Sequence, residues 1–585
     1  MKFVAYRPLT RVAVVARHLA VTVILLASGA PLAETLTLEI HGVEGALADN
    51  IRAHWPVDQV ACPVTPQRWW RLEREADRQI AAALKALGYY HGFWHLERMG
   101  DGSDCGRVLL NVTQGPATVI ERVNITLSGD GQGEPVFTDY LDALPLAPGD
   151  RLNHGNYDAI KTELQRRARS QGYFESRFET ARLVVDTNAN QASVELRFIT
   201  GPRYKFGAIR FPDTPLSNDL LSRFLPFKPG SPFDSERLIQ FQDNLINSQY
   251  FDSVSVEQGV PDSEQKIVPI EVALTAKTRF QTRIGAGVST DTGPRITYSL
   301  HNRRMNSRGD TYHIDTQLSG VDSFARFQFE QPGQRPLREK YLWSLGVHQE
   351  DTDTALSRKL VAEAARLTIE GENWLQNLSL RFLYEDFDIA GESEATMLLM
   401  PGIGWSRSES NHPRYPTHGW RLQFSARGAI EGIASDMTLG QATAEGKVIL
   451  PLFGGRLLSR VNLGATALDD FSRLPASLRF FAGGDNSVRG YQYESLGPEN
   501  SQGDVVGGKH LLAGSIEVDH KIWREVALAA FIDAGTAFDT RDFTLHQSAG
   551  VGIRWFSPIG PIRFDLAFPL KDGGFRVHLS MGPDL

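Results

Sequence analysis

The chain has 585 residues, a length that predicts several domains, roughly four, rather than one. Its 61 Lys and Arg residues are outnumbered by 69 Asp and Glu residues, and this net charge of −8 gives no reason to expect a nucleic-acid partner. No uncharged apolar run reaches the length of about 18 residues that a transmembrane helix needs, so none is predicted. A membrane β-barrel remains open, because barrel strands are short and alternate in polarity.

The start of the chain, residues 1–33, has the layout of a secretory signal peptide. Four basic residues precede an apolar run, Leu19–Ala27, which is followed by small residues. Pro31 disfavours both of the small-residue cleavage sites around it, so cleavage is placed only within residues 29–33. A buried or interfacial amphipathic helix is the alternative interpretation of this segment.

The chain contains two cysteines, Cys62 and Cys105. In an oxidising compartment, two thiols within one small module more often pair than stay free. Two cysteines are too few for a structural metal site, and no histidine pair stands at ligand spacing beside them. We predict a disulfide between Cys62 and Cys105 and no metal site.

The region between the signal peptide and residue 276 contains three repeats of about 80 residues, each reading strand, helix, helix, strand, strand. Each repeat has a helix that ends in a similar motif: Leu87-Gly88-Tyr89-Tyr90, Gln171-Gly172-Tyr173-Phe174 and Ser248-Gln249-Tyr250-Phe251. A glycine just past a helix is typical of a left-handed C-terminal cap. A Gly-Pro pair that leads into a strand recurs in phase, at Gly115 and Gly201. One irregular α+β domain would not explain two motifs in phase, so we place modules at residues 34–116, 117–202 and 203–276.

From about residue 278 the helical period gives way to alternating apolar and polar residues, which is typical of β-strands. Turn signals such as Arg308-Gly309-Asp310 separate these segments. Alternation alone fits a soluble sandwich or an outer-membrane barrel, and the signal peptide, the number of strands and the amphipathic last strand favour the barrel. We therefore expect α+β repeats followed by an all-β transmembrane barrel of about 16 antiparallel strands in residues 277–585.

Both ends of the predicted barrel carry features that weaken strand pairing. The first strand, near Gln281–Val288, contains two glycines, which leave little side chain to pack. The closing strand, Phe575–Gly582, is followed by Pro583, which cannot donate a ladder hydrogen bond. We expect a weak lateral seam formed by residues of both strands: Gln281, Ile284, Gly285, Gly287, Phe575, Val577, Leu579, Met581 and Gly582.

One arginine stands in a loop of glycines and small polar residues, Gly483-Gly484-Asp485-Asn486-Ser487-Val488-Arg489-Gly490-Tyr491. The flanking sequence does not suit a phosphate-binding loop, which follows a buried strand and opens a helix. Alternation places Glu517 and Asp533, on consecutive strands, on the lumen side, where a guanidinium can satisfy such carboxylates in bidentate fashion. We predict that residues 479–497 fold into the barrel and that Arg489 binds Asp533 and Glu517. Scattered lumen charges among waters are the alternative.

These motifs resemble those of a known family. Val488-Arg489-Gly490-Tyr491 resembles the Val-Arg-Gly-aromatic tip of the inward loop in outer-membrane barrels of the BamA/TamA superfamily. The strand from Phe531 to Gly535 resembles the superfamily's Phe-x-Asp-x-Gly motif, whose acid receives that arginine. The segments at 557–561 and 411–419 are similar to further recurrent elements, and the N-terminal repeats resemble POTRA modules. Three modules and the Gly582-Pro583-Asp584-Leu585 ending look like the TamA branch, whereas BamA-like proteins carry five modules and two-partner secretion transporters carry two.

The resemblance implies an outer-membrane location in a Gram-negative bacterium, with the POTRA modules in the periplasm. It implies a role in inserting or translocating β-barrel and autotransporter proteins. The implied partners are unfolded client proteins, outer-membrane lipids and a TamB-like protein anchored in the inner membrane. A dedicated two-partner secretion channel and a phospholipid transport bridge are the alternatives. The chain contains no zincin motif, nucleophile elbow or P-loop, so we expect neither enzymatic activity nor a cofactor.

Overall fold

A computed structural model of the chain describes residues 35–99, 106–413, 415–540, 543–557 and 560–582. The predicted signal peptide and the residues Cys105 and Pro583 lie outside these ranges. The chain forms two compact units. The first runs to Gly207 and includes residues 229–236 and 260–269; the second comprises residues 208–228, 237–259 and everything from Ile270. Among the described residues, no helix is both long and apolar enough to cross a membrane.

The first module contains β1 (Thr37–His41), α1 (Ala46–His54), a short 3-10 helix (Val57–Gln59), α2 (Pro66–Ala86), β2 (Phe93–Met99) and β3 (Arg107–Thr113). The middle strand, β3, pairs in parallel with β1 and antiparallel with β2. Helix α2 begins where Thr65 accepts a hydrogen bond from the Arg68 N–H, with Pro66 in its first turn. The helices and the sheet enclose a core that contains Trp55 and Ile80.

The second module repeats this order: β4 (Val119–Ser128), α3 (Pro135–Leu141), α4 (His154–Ser170), β5 (Arg177–Asp186) and β6 (Gln191–Ile199). Its middle strand, β6, is parallel to β4 and antiparallel to β5. Helix α4 ends two residues before Gly172, whose φ of +87° is the left-handed conformation that the sequence predicts. Tyr173 follows it and is fully buried beside Phe137.

The third module contains β7 (Lys205–Arg210), α5 (Asn218–Ser222), α6 (Ser235–Asn247), β8 (Phe251–Gln258) and β9 (Ile267–Ala276). Its strands lie in the order β7-β9-β8, so the predicted repeat of strand, helix, helix, strand, strand is confirmed in all three modules. At its helix end Gln249, at φ +66°, takes the place of the glycine. Within the second unit, the Tyr250 hydroxyl donates to the Gly309 carbonyl at 2.6 Å.

The rest of the second unit is one antiparallel sheet of 16 strands that forms a nearly closed barrel, as predicted. The strands are β10 (Phe280–Ser289), β11 (Gly293–Asn302), β12 (Thr311–Ser319), β13 (Asp322–Pro332), β14 (Glu339–Asp351), β15 (Ala355–Glu370), β16 (Trp374–Ile389), β17 (Glu392–Ser410), β18 (Gly419–Ala429), β19 (Leu439–Leu452), β20 (Gly455–Leu468), β21 (His510–Lys521), β22 (Val526–Phe538), β23 (His546–Ser557), β24 (Gly560–Pro569) and β25 (Arg576–Met581).

The two faces of the barrel wall differ in the way that the alternation predicts. Ile516 on β21 and Ile532 on β22 are 59% and 61% exposed, on the outer face. Their neighbours along the chain, Glu517 and Asp533, are buried on the inner face. This pattern of an apolar outside and a polar inside is that of a barrel surrounded by lipid.

Candidate functional site

Residues 469–509 connect β20 to β21, and their tip contacts the inner faces of the last barrel strands. The loop is joined to itself by paired backbone hydrogen bonds between Ala482 and Leu496, at 2.8 and 2.9 Å. Its base is tied to the wall, because the Ser477 N–H donates to Glu385 Oε1 at 2.9 Å. These contacts hold the segment at 479–497 folded toward the barrel wall rather than away from it.

Arg489 reaches Asp533 through three donors. Its Nε and Nη2 atoms each lie 2.8 Å from a different carboxylate oxygen, and its backbone N–H donates to Oδ2 at 3.0 Å. Asp533 is fully buried and Arg489 is 6% exposed. A two-point guanidinium contact fixes orientation as well as charge, so it determines where the loop tip lies.

The second predicted acid also meets the arginine, and a third joins it. Arg489 Nη1 donates to Glu517 Oε2 at 2.7 Å and to Asp565 Oδ2 at 3.1 Å. Ser515 accepts from Nη2 at 3.0 Å and itself donates to Asp533 Oδ1 at 2.6 Å. One loop arginine therefore links strands β21, β22 and β24.

A second arginine completes the network. Arg554 on β23 donates from Nε to Glu517 Oε1 at 2.9 Å and from Nη1 to Asp565. Three carboxylates and two guanidiniums thus lie in direct contact, each with a side chain that is 10% exposed or less. Breaking a buried ion pair by removing one partner is costly, because it leaves an uncompensated charge.

Aromatic and glycine positions of the strand motif shape the space for the loop. The guanidinium carbon of Arg489 lies 3.4 Å from the centre of the Phe531 ring, which adds a cation–π contact. A Cβ on Gly535 would lie 2.9 Å from Val488 Cγ2 and 2.8 Å from the Cβ of Ala513. Glycine at 535 therefore allows the buried tip residue Val488 to approach the wall.

The residues after the arginine complete the tip. Gly490 has a φ of +96°, and a Cβ there would lie 3.3 Å from both Pro569 and Ser548. The Tyr491 hydroxyl donates to Asp572 at 2.8 Å, in the turn before the last strand. All four residues of the predicted tip motif therefore contact the end of the barrel sheet or pack within the loop.

The predicted seam residues lie on β10 and β25, except Phe575 and Gly582, which directly flank β25. The two strands stand at the ends of the sheet order and lie against each other. Within the part of the chain that the structure describes, these strands form no backbone ladder with each other. The contact is made just beyond β10, where the Thr290 N–H donates to the Leu579 carbonyl at 3.2 Å. Two of the predicted seam residues, Ile284 and Phe575, are strongly exposed.

A second buried ion pair anchors the 411–419 turn that the sequence singles out. Arg456 on β20 and Asp519 on β21 are both almost fully buried and in contact, and Arg456 also donates to the Pro416 carbonyl at 2.9 Å. The Tyr415 ring lies 3.9 Å from the Arg456 guanidinium carbon. Tyr415 and Pro416 of the turn thus contact a buried ion pair whose two charges both lie on barrel strands.

Two predictions lie partly outside the described residues. Cys62 is described and packs against the core of the first module, but Cys105 is not, so their bridge stays a prediction. The same holds for the effect of Pro583 on the closing strand.

Sequence reasoning missed Arg554 and Asp565. The signal that identifies them is the same alternation, because Ile553 and Phe564 are exposed on the outer face while the next residue on each strand is buried. Among the described residues, one group offers metal-binding atoms close together: Asp291, Asp485 and His578 have donor atoms within 4.8 Å of one another. Protein groups already engage both ring nitrogens of His578.

Comparison with known families agrees with this architecture. A family profile described as the Omp85 superfamily domain matches residues 271–582. A profile described as POTRA domain, TamA domain 1, matches residues 37–114, and a POTRA profile described as a surface antigen variable number repeat matches residues 204–277.

Individual relatives point the same way. The chain is 24% identical over 527 residues to outer membrane protein assembly factor BamA of Neisseria meningitidis serogroup B, covering 76% of this chain and 64% of that protein. It is 23% identical over 395 residues to BamA of Nitratidesulfovibrio vulgaris, covering 62% of this chain and 49% of that protein. The chain therefore spans only about half to two thirds of these curated relatives. The crystal structure of BamA from Haemophilus ducreyi lacking POTRA domains 1-3 has a TM-score of 0.67 at 15% identity, covering 79% of this chain and 98% of that one, which shows a shared fold.

Proposed function

The chain belongs to the Omp85 superfamily, and we propose that it is an assembly factor that helps insert or translocate β-barrel and autotransporter proteins. It resides in the outer membrane of a Gram-negative bacterium, with its POTRA modules in the periplasm. Its clients in this proposal are unfolded outer-membrane proteins, which need a backbone template and a path into lipid. We assign it no enzymatic step.

The observation that carries the proposal is the seam. Strands β10 and β25 adjoin without a ladder among the described residues, so this edge presents backbone donors and acceptors of both strands, apart from those of Leu579, which bond to Thr290. An unpaired strand edge is a template for an added strand. Gly285 and Gly287 give β10 little side-chain packing of its own, which favours exchange of its partner.

The periplasmic modules offer further strand edges. β2 and β5 stand at the ends of their three-stranded sheets, and each carries a strongly exposed apolar residue, Phe93 and Val184. A client in extended conformation can add to such an edge, with the apolar residue as a contact point. These edges support a role for the modules in receiving unfolded chains before they reach the seam.

The TamA branch is the narrower assignment that we propose within the superfamily. Three modules precede the barrel within the described residues, and the first of them matches a TamA-type POTRA profile. In this assignment the chain works with a TamB-like partner that spans the periplasm. Outer-membrane lipids surround the barrel or are themselves transported. Measuring client insertion and lipid transport side by side in cells depleted of the protein tests this narrower role.

A disulfide across the seam tests the function directly. Thr290 and Leu579 have adjacent backbones, so a Thr290→Cys/Leu579→Cys pair is placed to bridge the hairpin after β10 and the closing strand. In lipid vesicles, the bridged protein should fail to promote folding of an unfolded outer-membrane barrel, and reduction should restore it. Full activity of the bridged form would overturn lateral opening.

A matched control separates locking from the chemistry of the bridge. Ala286 and Ile296 face each other in the ladder of β10 and β11. A disulfide between Ala286→Cys and Ile296→Cys therefore joins two strands that are already paired and leaves the seam unlocked. This control should keep its activity in both redox states. Ion conductance is recorded on the same vesicles, because a dedicated secretion channel requires the loop at 479–497 to leave the barrel. Conductance that rises with activity would favour the channel.

A further inference from the structure

The closing strand has one firm partner. β25 pairs with β24, with His578 opposite Asp565, and its other edge faces β10 without a ladder among the described residues. What holds that free edge near the first hairpin therefore matters for any opening of the seam. Besides the direct hydrogen bonds between Thr290 and Leu579, the contacts of His578 hold that edge.

His578 is buried and bonds to two points of the inward loop. Its Nε2 accepts a hydrogen bond from the Gly490 N–H at 2.8 Å, and its Nδ1 lies 2.6 Å from Asp485 Oδ1. A backbone N–H can only donate, so Nε2 is the unprotonated nitrogen and Nδ1–H donates to the carboxylate. The imidazole thus engages the loop on both sides of Arg489.

Asp485 extends the same connection to the first hairpin. Its Oδ1 accepts from the Thr290 hydroxyl at 2.9 Å, and its backbone N–H donates to Asp291 Oδ2 at 2.8 Å. Its side chain is 4% exposed. One loop residue therefore contacts both the turn after β10 and the closing strand, beside the direct hydrogen bonds between Thr290 and Leu579.

The hydrogen bonds within the cluster of Asp291, Asp485 and His578 disfavour a metal ion at this position. Coordination through Nδ1 would move the imidazole proton to Nε2, where it would oppose the Gly490 N–H donor. The loop tip would then lose an acceptor that it uses in this structure. The geometry is that of a structural link rather than a ligand site.

We propose that His578 and Asp485 are positioning residues through which the inward loop holds the closing strand against the first hairpin. This inference rests on the proposed function, since it assigns the loop control of the seam that admits clients. Arg489 fixes the loop against the barrel wall. The Asp485–His578 contact in turn fixes the free edge of β25 to the loop. Removing the contact weakens the attachment of the edge, which the hydrogen bonds between Thr290 and Leu579 still hold, while the Arg489 network stays in place.

The test measures the seam itself in the full chain, in lipid nanodiscs and without a client. Spin labels at Val288 on β10 and Val577 on β25, both exposed on the outer face, report the distance across the seam in a Cys62→Ser/Cys105→Ser background. Losing a hydrogen bond to a buried charge should shift the ratio of closed to open seam by about tenfold. His578→Ala and Asp485→Asn should each broaden the distance distribution toward longer values.

Conservative variants distinguish the two bonds. In His578→Asn the amide donates near the Nδ1 position, and in His578→Gln the carbonyl accepts near the Nε2 position. The Asn variant should therefore restore the contact with Asp485, and with it most of the closed population, whereas Gln should not. His520→Ala on the outer side of β21 and Asp504→Asn elsewhere in the loop are matched controls that should leave the distances unchanged.

The outcomes are separable from those of the proposed function. An unchanged distance distribution in folded His578→Ala and Asp485→Asn overturns the inference. If His578→Ala does not fold, His578→Gln, which keeps an acceptor for the Gly490 N–H but loses the donor to Asp485, carries the same expectation and the same refutation. A seam that widens as expected in a protein that never promotes folding of a client would instead refute the proposed function and leave the inference standing.

Discussion

Arg489 donates two nearly parallel hydrogen bonds to Asp533, from Nε to Oδ2 and from Nη2 to Oδ1, each 2.8 Å long. The two residues are separated by 44 positions in the chain and come together because the loop folds inward. A buried pair of this geometry stabilises the loop only in one position.

Replacing Arg489 with alanine should lower the free energy of unfolding of the barrel by about 3–5 kcal/mol, because three carboxylates lose a shared cation. Lysine should restore little, since a single ammonium cannot make the two-point contact. Urea unfolding in lipid vesicles measures the free energy of unfolding of the alanine and the lysine variant. Arg326→Ala is the control, because its ion pair with Asp315 is half exposed and should contribute about 0–1 kcal/mol. Equal losses in the free energy of unfolding for Arg489→Ala and Arg326→Ala would contradict the buried network.

Arg554→Ala should be costly for the same reason, although this residue is not in the loop. Glu517 and Asp565 would then share only Arg489, and we expect a loss of about 3–5 kcal/mol in the same urea titration. The combined Arg554→Met/Asp565→Leu variant should lose less than the two single changes added together, because it leaves fewer charges unpaired. Strict additivity would show that the two side chains act independently.

Gly535→Ala should push the loop tip off the wall. The added Cβ would lie within 2.9 Å of Ala513 and Val488, and overpacking of this kind costs about 1–3 kcal/mol. Gly440→Ala on β19 is the matched control, since a Cβ there meets nothing within 4 Å. Protease sensitivity of residues 479–497 reports the position of the loop. Equal protection in both variants would mean that Gly535 makes no room for Val488.

Peptide mapping and thermal unfolding test the predicted disulfide of the first module. Peptide mapping of natively purified protein, without reductant, should yield a linked pair that contains Cys62 and Cys105. Loss of the bridge should lower the free energy of unfolding of the module by about 2–5 kcal/mol. The thermal unfolding transition reported by Trp55 should then move to a lower temperature. Free alkylation of both thiols in the native protein would rule the bridge out.

The architecture was predictable because its signals are local. Alternation over a few residues defines a strand and its buried face. The length of the region, at about 10 residues per strand plus turns and loops, predicts about 16 strands, the number observed. The repeats were predictable for a similar reason, because Gly88 and Gly172 end their helices in the left-handed conformation. Strand ends shifted by one or two residues, as for β25, which spans Arg576–Met581, because pairing ends where a partner ends.

The site was predictable only in part. Alternation identified Glu517 and Asp533 as inward residues on neighbouring strands, and the loop arginine was their natural partner. Arg554 and Asp565 were missed because nothing local shows how far across the wall the loop tip reaches. His578 was missed for the same reason, since its partner Asp485 is 93 positions away in the chain. Contacts made by a folded-back loop depend on its path, which alternation does not specify.

The most direct test of the account is a double-mutant cycle between Arg489 and Asp533, measured by urea unfolding in lipid vesicles. Arg489→Ala, Asp533→Ala and the double variant give a coupling free energy, with Asp315→Ala in place of Asp533→Ala as the distant control. We predict a coupling of about 2–3 kcal/mol for the pair and less than about 0.5 kcal/mol for the control. Additive effects of Arg489→Ala and Asp533→Ala would mean that the two residues do not meet in the membrane, and the inward position of the loop would be wrong.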